Sequence, residues 1–439
     1  MSARPAAMPR VLCAALLLAL AGAPAAARAQ AFLHWEQSAR GLGMGGATAA
    51  VADDPSAAFY NPGGIVRLPG TQVQIGGMLS GRSASFDAFG APDADADTRY
   101  AALPSLFATH AIAAYWTGGF SFTEPWRSEL AWNDGADFVG RFRATESRLS
   151  AYSFDPVLAW HPVARVGIAA GLAIVEASFL LERFEQDPVI SAMAGGGPVE
   201  LARSSLDLQA TSIGWTAGAH WRARDDLSVG LQYRSRVSVE FNGDVDFTIV
   251  ASDSVRDLRF PSGERVGTLL DQRYVDQPAR SRFVFPAIAT GGVAWHPVEP
   301  VLLALDLQWT GWGEMEDVTL SFADTLLGDV TPLDYDDTWS LRVGAEARPG
   351  GPLAVRVGFA RVWSPAPFAA VGPLLPDADR SSISFGAGTR WRDVDFDAAY
   401  RLTVMEDREG VAFPLNDASP DGIYESAEHA FAIAATRRF

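Results

Sequence analysis

The sequence predicts an all-β chain: a transmembrane antiparallel β-barrel of about 14 strands plugged by an N-terminal hatch. Three observations carry that prediction. Long runs alternate apolar and polar residues with period two, short turns alternate with long polar stretches, and a segment of small residues near the N-terminus fits neither strand nor helix.

In chain order, residues 1–29 have the parts of a secretory signal peptide. Arg4 and Arg10 form a basic start, residues 11–23 an apolar core, and Ala27-Arg28-Ala29 an A-x-A cleavage site. The core is too short to span a bilayer comfortably, and no later uncharged apolar run is long enough for a membrane helix. The one cysteine, Cys13, lies in this leader, so the mature chain is expected to lack disulfides and thiol chemistry. With 52 acidic against 35 basic residues and a formal charge of −17, nucleic acid is excluded as a partner.

The hatch is placed at residues 30–70. It carries Gly41-Leu42-Gly43-Met44-Gly45-Gly46 and ends on Asn61-Pro62-Gly63. Small residues pack where space is tight and glycine opens backbone angles closed to others, so this segment needs an enclosing wall. No lysine follows the glycines and no βαβ unit surrounds them, which removes a nucleotide-binding loop.

Residues 71–439 supply the wall. Val229, Leu231, Tyr233, Val237, Val239, Phe241, Val245, Phe247 and Ile249 share one parity, and Gln232, Arg234, Arg236, Glu240, Asn242, Asp244 and Asp246 the other. Alternate residues of a strand face opposite sides, so this run reads as one strand with an oily outer face and Arg234, Arg236 and Glu240 in the lumen. At 3.3 Å per residue it would reach about 70 Å, too long for a sandwich strand. Leu303, Leu305 and Leu307 against Asp306 and Gln308, and Phe396, Tyr400 and Leu402 against Asp397 and Arg401, repeat the split.

Trp160-His161-Pro162 and Trp295-His296-Pro297, with breaks at 222–226, 348–352 and 392–393, mark short turns. Long polar stretches at 82–99, 127–146, 187–201, 251–280, 324–334, 366–379 and 406–425 mark loops at the other end, and short turns belong on the periplasmic side. Trp160, Trp221 and Trp295 suit an interfacial aromatic girdle. His161 and His296 lack metal-ligand spacing and read as turn residues. Asp93, Asp95 and Asp97 are spaced as a calcium loop would be, but read as a solvated acidic loop. The six histidines form no local arrangement with a nucleophile and an orienting acid, so no enzyme, metal or cofactor is expected. The final strand closes on Phe439, with Arg437 an exception on its outer face.

Motifs in order along the mature chain resemble the FadL/TodX family of outer-membrane transporters for hydrophobic compounds. They are Ser38-Ala39-Arg40-Gly41, Ala52-Asp53-Asp54, Asn61-Pro62 (followed here by Gly63 where the family usually has Ala), Tyr233-Arg234-Ser235, Phe285-Pro286, Trp309-Thr310-x-Trp312, Trp339-Ser340-Leu341-Arg342-Val343-Gly344 and Pro376-Asp377-x-Asp379-Arg380. The resemblance implies a plugged fourteen-stranded barrel in the bacterial outer membrane that moves fatty acids or aromatic hydrocarbons. Substrate would pass an internal pocket reached by the N-terminus, and leave sideways through a gap made by a kink in the third strand.

Phe32 matches the residue at the pocket, and Arg183 matches a carboxylate-holding position. Asp336 stands where a second basic residue is expected. The third strand is read at 113–123, with Glu124-Pro125-Trp126 at the kink because proline cannot donate to a ladder. Partners implied are a hydrophobic small molecule, outer-membrane lipid and the barrel assembly machinery, with the chain a monomer. The alternative reading is a non-transporting barrel of the same kind that docks or carries exported proteins.

Overall fold

The computed structural model describes residues 32–133, 138–324, 327–411 and 422–439; the signal peptide, Cys13 and Gln30 lie outside the described residues. Fourteen antiparallel strands close into a barrel. They are β1 Thr71–Ala88, β2 Ala94–Ala113, β3 Trp116–Ala131, β4 Glu146–Val163, β5 Val166–Glu185, β6 Ala202–Arg224, β7 Leu227–Arg234 and Val237–Ile249, β8 Gln277–Phe285 and Ile288–Val298, β9 Val301–Thr310 and Asp317–Phe322, β10 Asp329–Pro332 and Thr338–Gly350, β11 Leu353–Val362, β12 Arg380–Trp391, β13 Val394–Met405 and β14 Gly422–Arg438. The seam is the β1–β14 ladder, running from Gln72↔Arg438 to Ala88↔Gly422. Two residues separate β2 from β3, β4 from β5, β6 from β7, β8 from β9, β10 from β11 and β12 from β13, so the predicted short turns all fall at one end.

Two predictions fail for one physical reason. Residues 82–99 are mostly strand rather than loop, because β1 runs to Ala88 and β2 begins at Ala94. β3 likewise continues to Ala131 within the stretch read as a loop from 127. These ends rise past the bilayer, where the outer face meets water, so polarity there does not mark a loop.

Residues 229–249 are not one unbroken strand either. β7 breaks at Ser235-Arg236, where Ser235 donates its N–H to the Trp215 carbonyl (2.9 Å) and Trp215 donates back to Ser235 Oγ (2.9 Å). A one-residue slip turns every later side chain to the other face. Below the break Leu231 is 60% exposed and Arg234 is buried; above it Val239, Phe241 and Val245 are 0% exposed and Glu240 points outward. Arg236 is therefore outside, paired with Glu314 at 2.6 Å, and only Arg234 of the three expected lumen charges faces inward.

β8 repeats the inversion at Pro286-Ala287, with Phe283 and Phe285 inward above and Val293 and Trp295 outward below. The lower barrel is thus apolar outside and polar inside, and the upper barrel the reverse.

Trp116, Trp160, Trp221 and Trp295 are exposed beside the short turns, and Trp116 stacks on Trp160 at 6.0 Å. Trp116 was not singled out in the sequence. At the chain end Phe439 donates its N–H to the Thr71 carbonyl (2.8 Å), and the Arg437 guanidinium lies 4.7 Å over the Phe439 ring. That stacking keeps the outward Arg437 at the lower rim.

Candidate functional site

The N-terminal segment folds inside the lower wall. Ser38 caps a short helix at Ala39–Gly43, its Oγ accepting from Gly41 N–H (3.0 Å). Asn61 opens a 3-10 turn over Pro62–Arg67, where Pro62 needs no amide hydrogen. The Asn61 side chain donates to the carbonyls of Ala49 (2.6 Å) and Ala219 (3.0 Å) and accepts from Gly63 N–H. A Cβ on Gly63 would lie 2.8 Å from the Ala219 Cα and the Gly218 carbonyl, closer than such contacts allow. Glycine at 63, where the family usually has alanine, therefore matches this close approach to the wall.

Charged wall residues complete the seat. Asp306 Oδ2 accepts from the N–H groups of Thr48 (2.7 Å) and Ala49 (2.8 Å). Glu36 bridges Arg342 and Arg401, and Arg401 continues to Glu428. Arg40 pairs with Glu346 (2.9 Å), Asp53 and Asp54. Higher up, Asp155 accepts from Arg234 Nη1 (3.2 Å) and Nη2 (2.9 Å), Ser121 (2.9 Å) and Ser153 (2.6 Å), and Arg234 lies 4.7 Å over the Phe59 ring. Among these, Glu36, Asp155, Glu346 and Glu428 were not singled out in the sequence. Their only signal was a charge on the inward parity of a strand or in the small-residue segment.

The β2–β3 ladder runs from Ala113↔Trp116 only to Leu106↔Phe122 and resumes as a bridge at Ala96↔Trp132. Between them β3 bulges at Glu124-Pro125, shown by the register slip against β4 between Thr123 and Trp126. β3 thus extends through the stretch read as its end. The N-terminal segment fills the vacated edge: His34 N–H donates to the Pro125 carbonyl (2.8 Å) and Arg127 N–H to the Phe32 carbonyl (2.9 Å). The Gln37 amide holds both backbone groups of Glu124, each at 3.1 Å. Glu124 is fully buried, accepting from Ser150 Oγ (2.5 Å) and Arg127 Nη1 (2.8 Å). Burial holds the neighbouring His34 imidazole down at about 4 despite Glu428 nearby, so it is neutral at pH 7.

Beside this window sits an aromatic cluster. The buried Phe32 ring meets Trp312 at 4.9 Å, Trp126 at 6.0 Å and Phe285 at 6.2 Å, and Trp126 stacks on Phe285 at 5.3 Å. The apolar interior continues upward through Phe283, Phe241 and Phe179 to Tyr274 and Leu270 beneath the loops. Below the segment lies a polar cavity of about 920 Å³ at the short-turn end, lined by Arg40, Arg67, Arg356, Asp397 and Arg438.

The model of the family described as "Outer membrane protein transport protein (OMPP1/FadL/TodX)" matches residues 20–439. The chain belongs to this family. Its place is the bacterial outer membrane, and the family's members are transport proteins for hydrophobic compounds. A protein of Neisseria meningitidis serogroup B, NMB0088, described as an outer-membrane protein, is 25% identical over 437 residues, covering 89% of this chain and 90% of that one.

The fold is shared with a Pseudomonas aeruginosa FadL homologue at a TM-score of 0.81 and 21% identity, covering 93% of this chain and 100% of the other. It is shared too with the Pseudomonas putida toluene transporter TodX at 0.70 and 17%, with the same coverage. The Ralstonia pickettii toluene transporter TbuX follows at 0.67 and 17%, covering 92% and 99%.

Of the FadL/TodX positions read from sequence, Phe32, Glu124, Pro125 and Trp126 come together at the window and Asn61, Pro62 and Gly63 at the seat. Arg183 stands apart, higher in the barrel. It is buried and bound by Glu185 (3.0 Å) and Asp329 (2.7 Å). Asp336 donates its N–H to the Pro365 carbonyl. Asp95 and Asp97 are on β2, and Asp93 caps the turn by accepting from Ala88 N–H (3.1 Å).

Proposed function

We propose that this chain is a passive channel for hydrophobic compounds, fatty acids or hydrocarbons, which releases them sideways into the outer membrane. The observation that carries the reading is the window between β2 and β3, where the N-terminal hatch stands in for a missing strand neighbour. Substrate held in the apolar upper barrel gains about 0.8 kcal/mol per buried CH₂. A straight path downward would forfeit that gain, crossing the charged seat and the polar cavity beneath it. Exit through the window into lipid keeps it.

Phe32 serves as substrate contact and stopper at once. Arg183 serves the barrel, since two carboxylates already neutralise it and would repel an acid head. Assembly through the terminal strand by the barrel machinery, and action as a monomer, complete the proposal.

The test uses a cysteine-free mature chain. Ala101 on β2 and Ser128 on β3 both line the window. In a variant carrying A101C and S128C, a short reducible bis-thiol linker should block uptake of labelled toluene and labelled oleate by cells lacking other transporters. Reduction should restore it. Uptake indifferent to the bridge would end the lateral-release reading.

A further inference from the structure

The window encloses a small cavity of about 50 Å³ lined by the charged side chains of Arg82, Arg99, Arg127 and Arg380 and of Glu129 and Glu428. Both carboxylates are already engaged. Glu129 takes Arg127 at 2.6 Å and Arg148 at 3.3 Å, and Glu428 takes Arg401 and the Ser80 hydroxyl (2.6 Å). Arg99 is matched by Glu146 at 2.7 Å.

Arg82 differs from its neighbours. It donates through Nη2 to the Pro376 carbonyl and to Ser426 Oγ (3.1 Å), both uncharged. Its Nε is buried without an acceptor. No carboxylate of the described residues forms an ion pair with it. Asp377 and Glu428 act on it only from beyond ion-pair distance. A partly buried guanidinium without a direct ion pair is costly unless something anionic completes it.

We propose that Arg82 is a carboxylate site at the exit window, which receives the acid head of a long-chain monocarboxylic acid while the tail lies in the aromatic cluster. The cavity has room for a carboxylate group, since one water needs about 10–15 Å³ of such space. The apolar side chains that would take the tail lie next to it. His34 lines the cavity and Phe32, two residues earlier, lies in the cluster with Trp126, Phe285 and Trp312. Planar guanidinium donors suit a carboxylate, whereas a hydrocarbon or an ester presents nothing for them to neutralise. This inference rests on the transport reading and adds to it a charged step at the exit, away from Arg183.

The experiment compares oleate with methyl oleate, binding each to the purified full-length barrel in detergent, for the wild type, Arg82→Gln and Arg82→Lys. A folded barrel is confirmed by its shifted mobility on unheated gels. Arg82→Gln should weaken oleate at least about tenfold, the loss of a charged hydrogen-bonding partner. It should leave methyl oleate unchanged, and Arg82→Lys should keep most of the oleate affinity.

Oleate binding unchanged in Arg82→Gln would overturn the site, as would an equal loss for both ligands, which would make Arg82 a clamp on the Pro376 loop. Wild-type barrel that binds methyl oleate but not oleate would also overturn it, yet leave the transport reading standing. Binding of neither would take both down.

Discussion

Asp155→Asn isolates a buried ion pair in the wall. The carboxylate is fully buried and accepts four hydrogen bonds, two from the Arg234 guanidinium and one each from Ser121 and Ser153. Asparagine keeps the volume but removes the charge and turns an amide NH₂ toward other donors. Arg234, itself buried, is left without a carboxylate. Two charge-assisted bonds at about 1.5–3 kcal/mol each, or a broken buried pair taken as a unit, place the loss at about 3–5 kcal/mol.

The assay is urea unfolding in phospholipid vesicles followed by tryptophan fluorescence, with free energies from midpoints at constant slope. Joining the substitution to Arg234→Met should recover most of the loss, because both charges are then gone. A single-variant cost below about 1 kcal/mol, or strict additivity in the double variant, would refute a coupled buried pair.

Two further outcomes follow from the hatch. Gly63→Ala introduces the alanine usual in the family, yet here the Cβ meets wall backbone at 2.8 Å, so it should cost about 1–3 kcal/mol by overpacking; an unfolding midpoint equal to wild type would contradict that close approach. His34 sits at about 4 in the folded chain against an ordinary 6.5. The unfolded chain therefore binds the extra proton first, and stability should fall as pH drops from 6.5 toward 4. His34→Gln should flatten that part of the pH profile, and an unchanged slope in urea titrations at pH 7 and 4.5 would show that His34 does not set it.

Reading by alternation succeeded where one face of a strand meets lipid and the other meets a polar lumen. Leu305 and Leu307 are exposed and Asp306 and Gln308 buried, as their parity implied. It went astray above Ser235 and Pro286. Phe241 keeps its place in the pattern while its surroundings change from membrane to interior, and period-two spacing carries no record of a slipped residue. Pro125 was legible as a kink because a missing amide is a local property. That Phe32 and His34 would pair with the freed edge was not, because that contact joins residues about ninety positions apart, a separation seen in the bonds of His34 to Pro125 and Gln37 to Glu124. Arg183 and Arg82 look alike in the sequence; only direct ion pairing separates them, since Arg183 holds Glu185 and Asp329 while Asp377 and Glu428 act on Arg82 from beyond ion-pair distance.

The slip in β7 and its counterpart in β8 have a mechanical corollary. Together they draw a waterline around that side of the molecule, setting how deep it floats. Sliding the barrel inward would drown Glu240 and Arg282 in hydrocarbon, and sliding it outward would lift Leu231 and Trp215 into water. The height of the apolar upper chamber relative to the lipid surface is thus set by ballast in the wall itself. One residue more or less at Ser235-Arg236 would change the draught of the whole vessel.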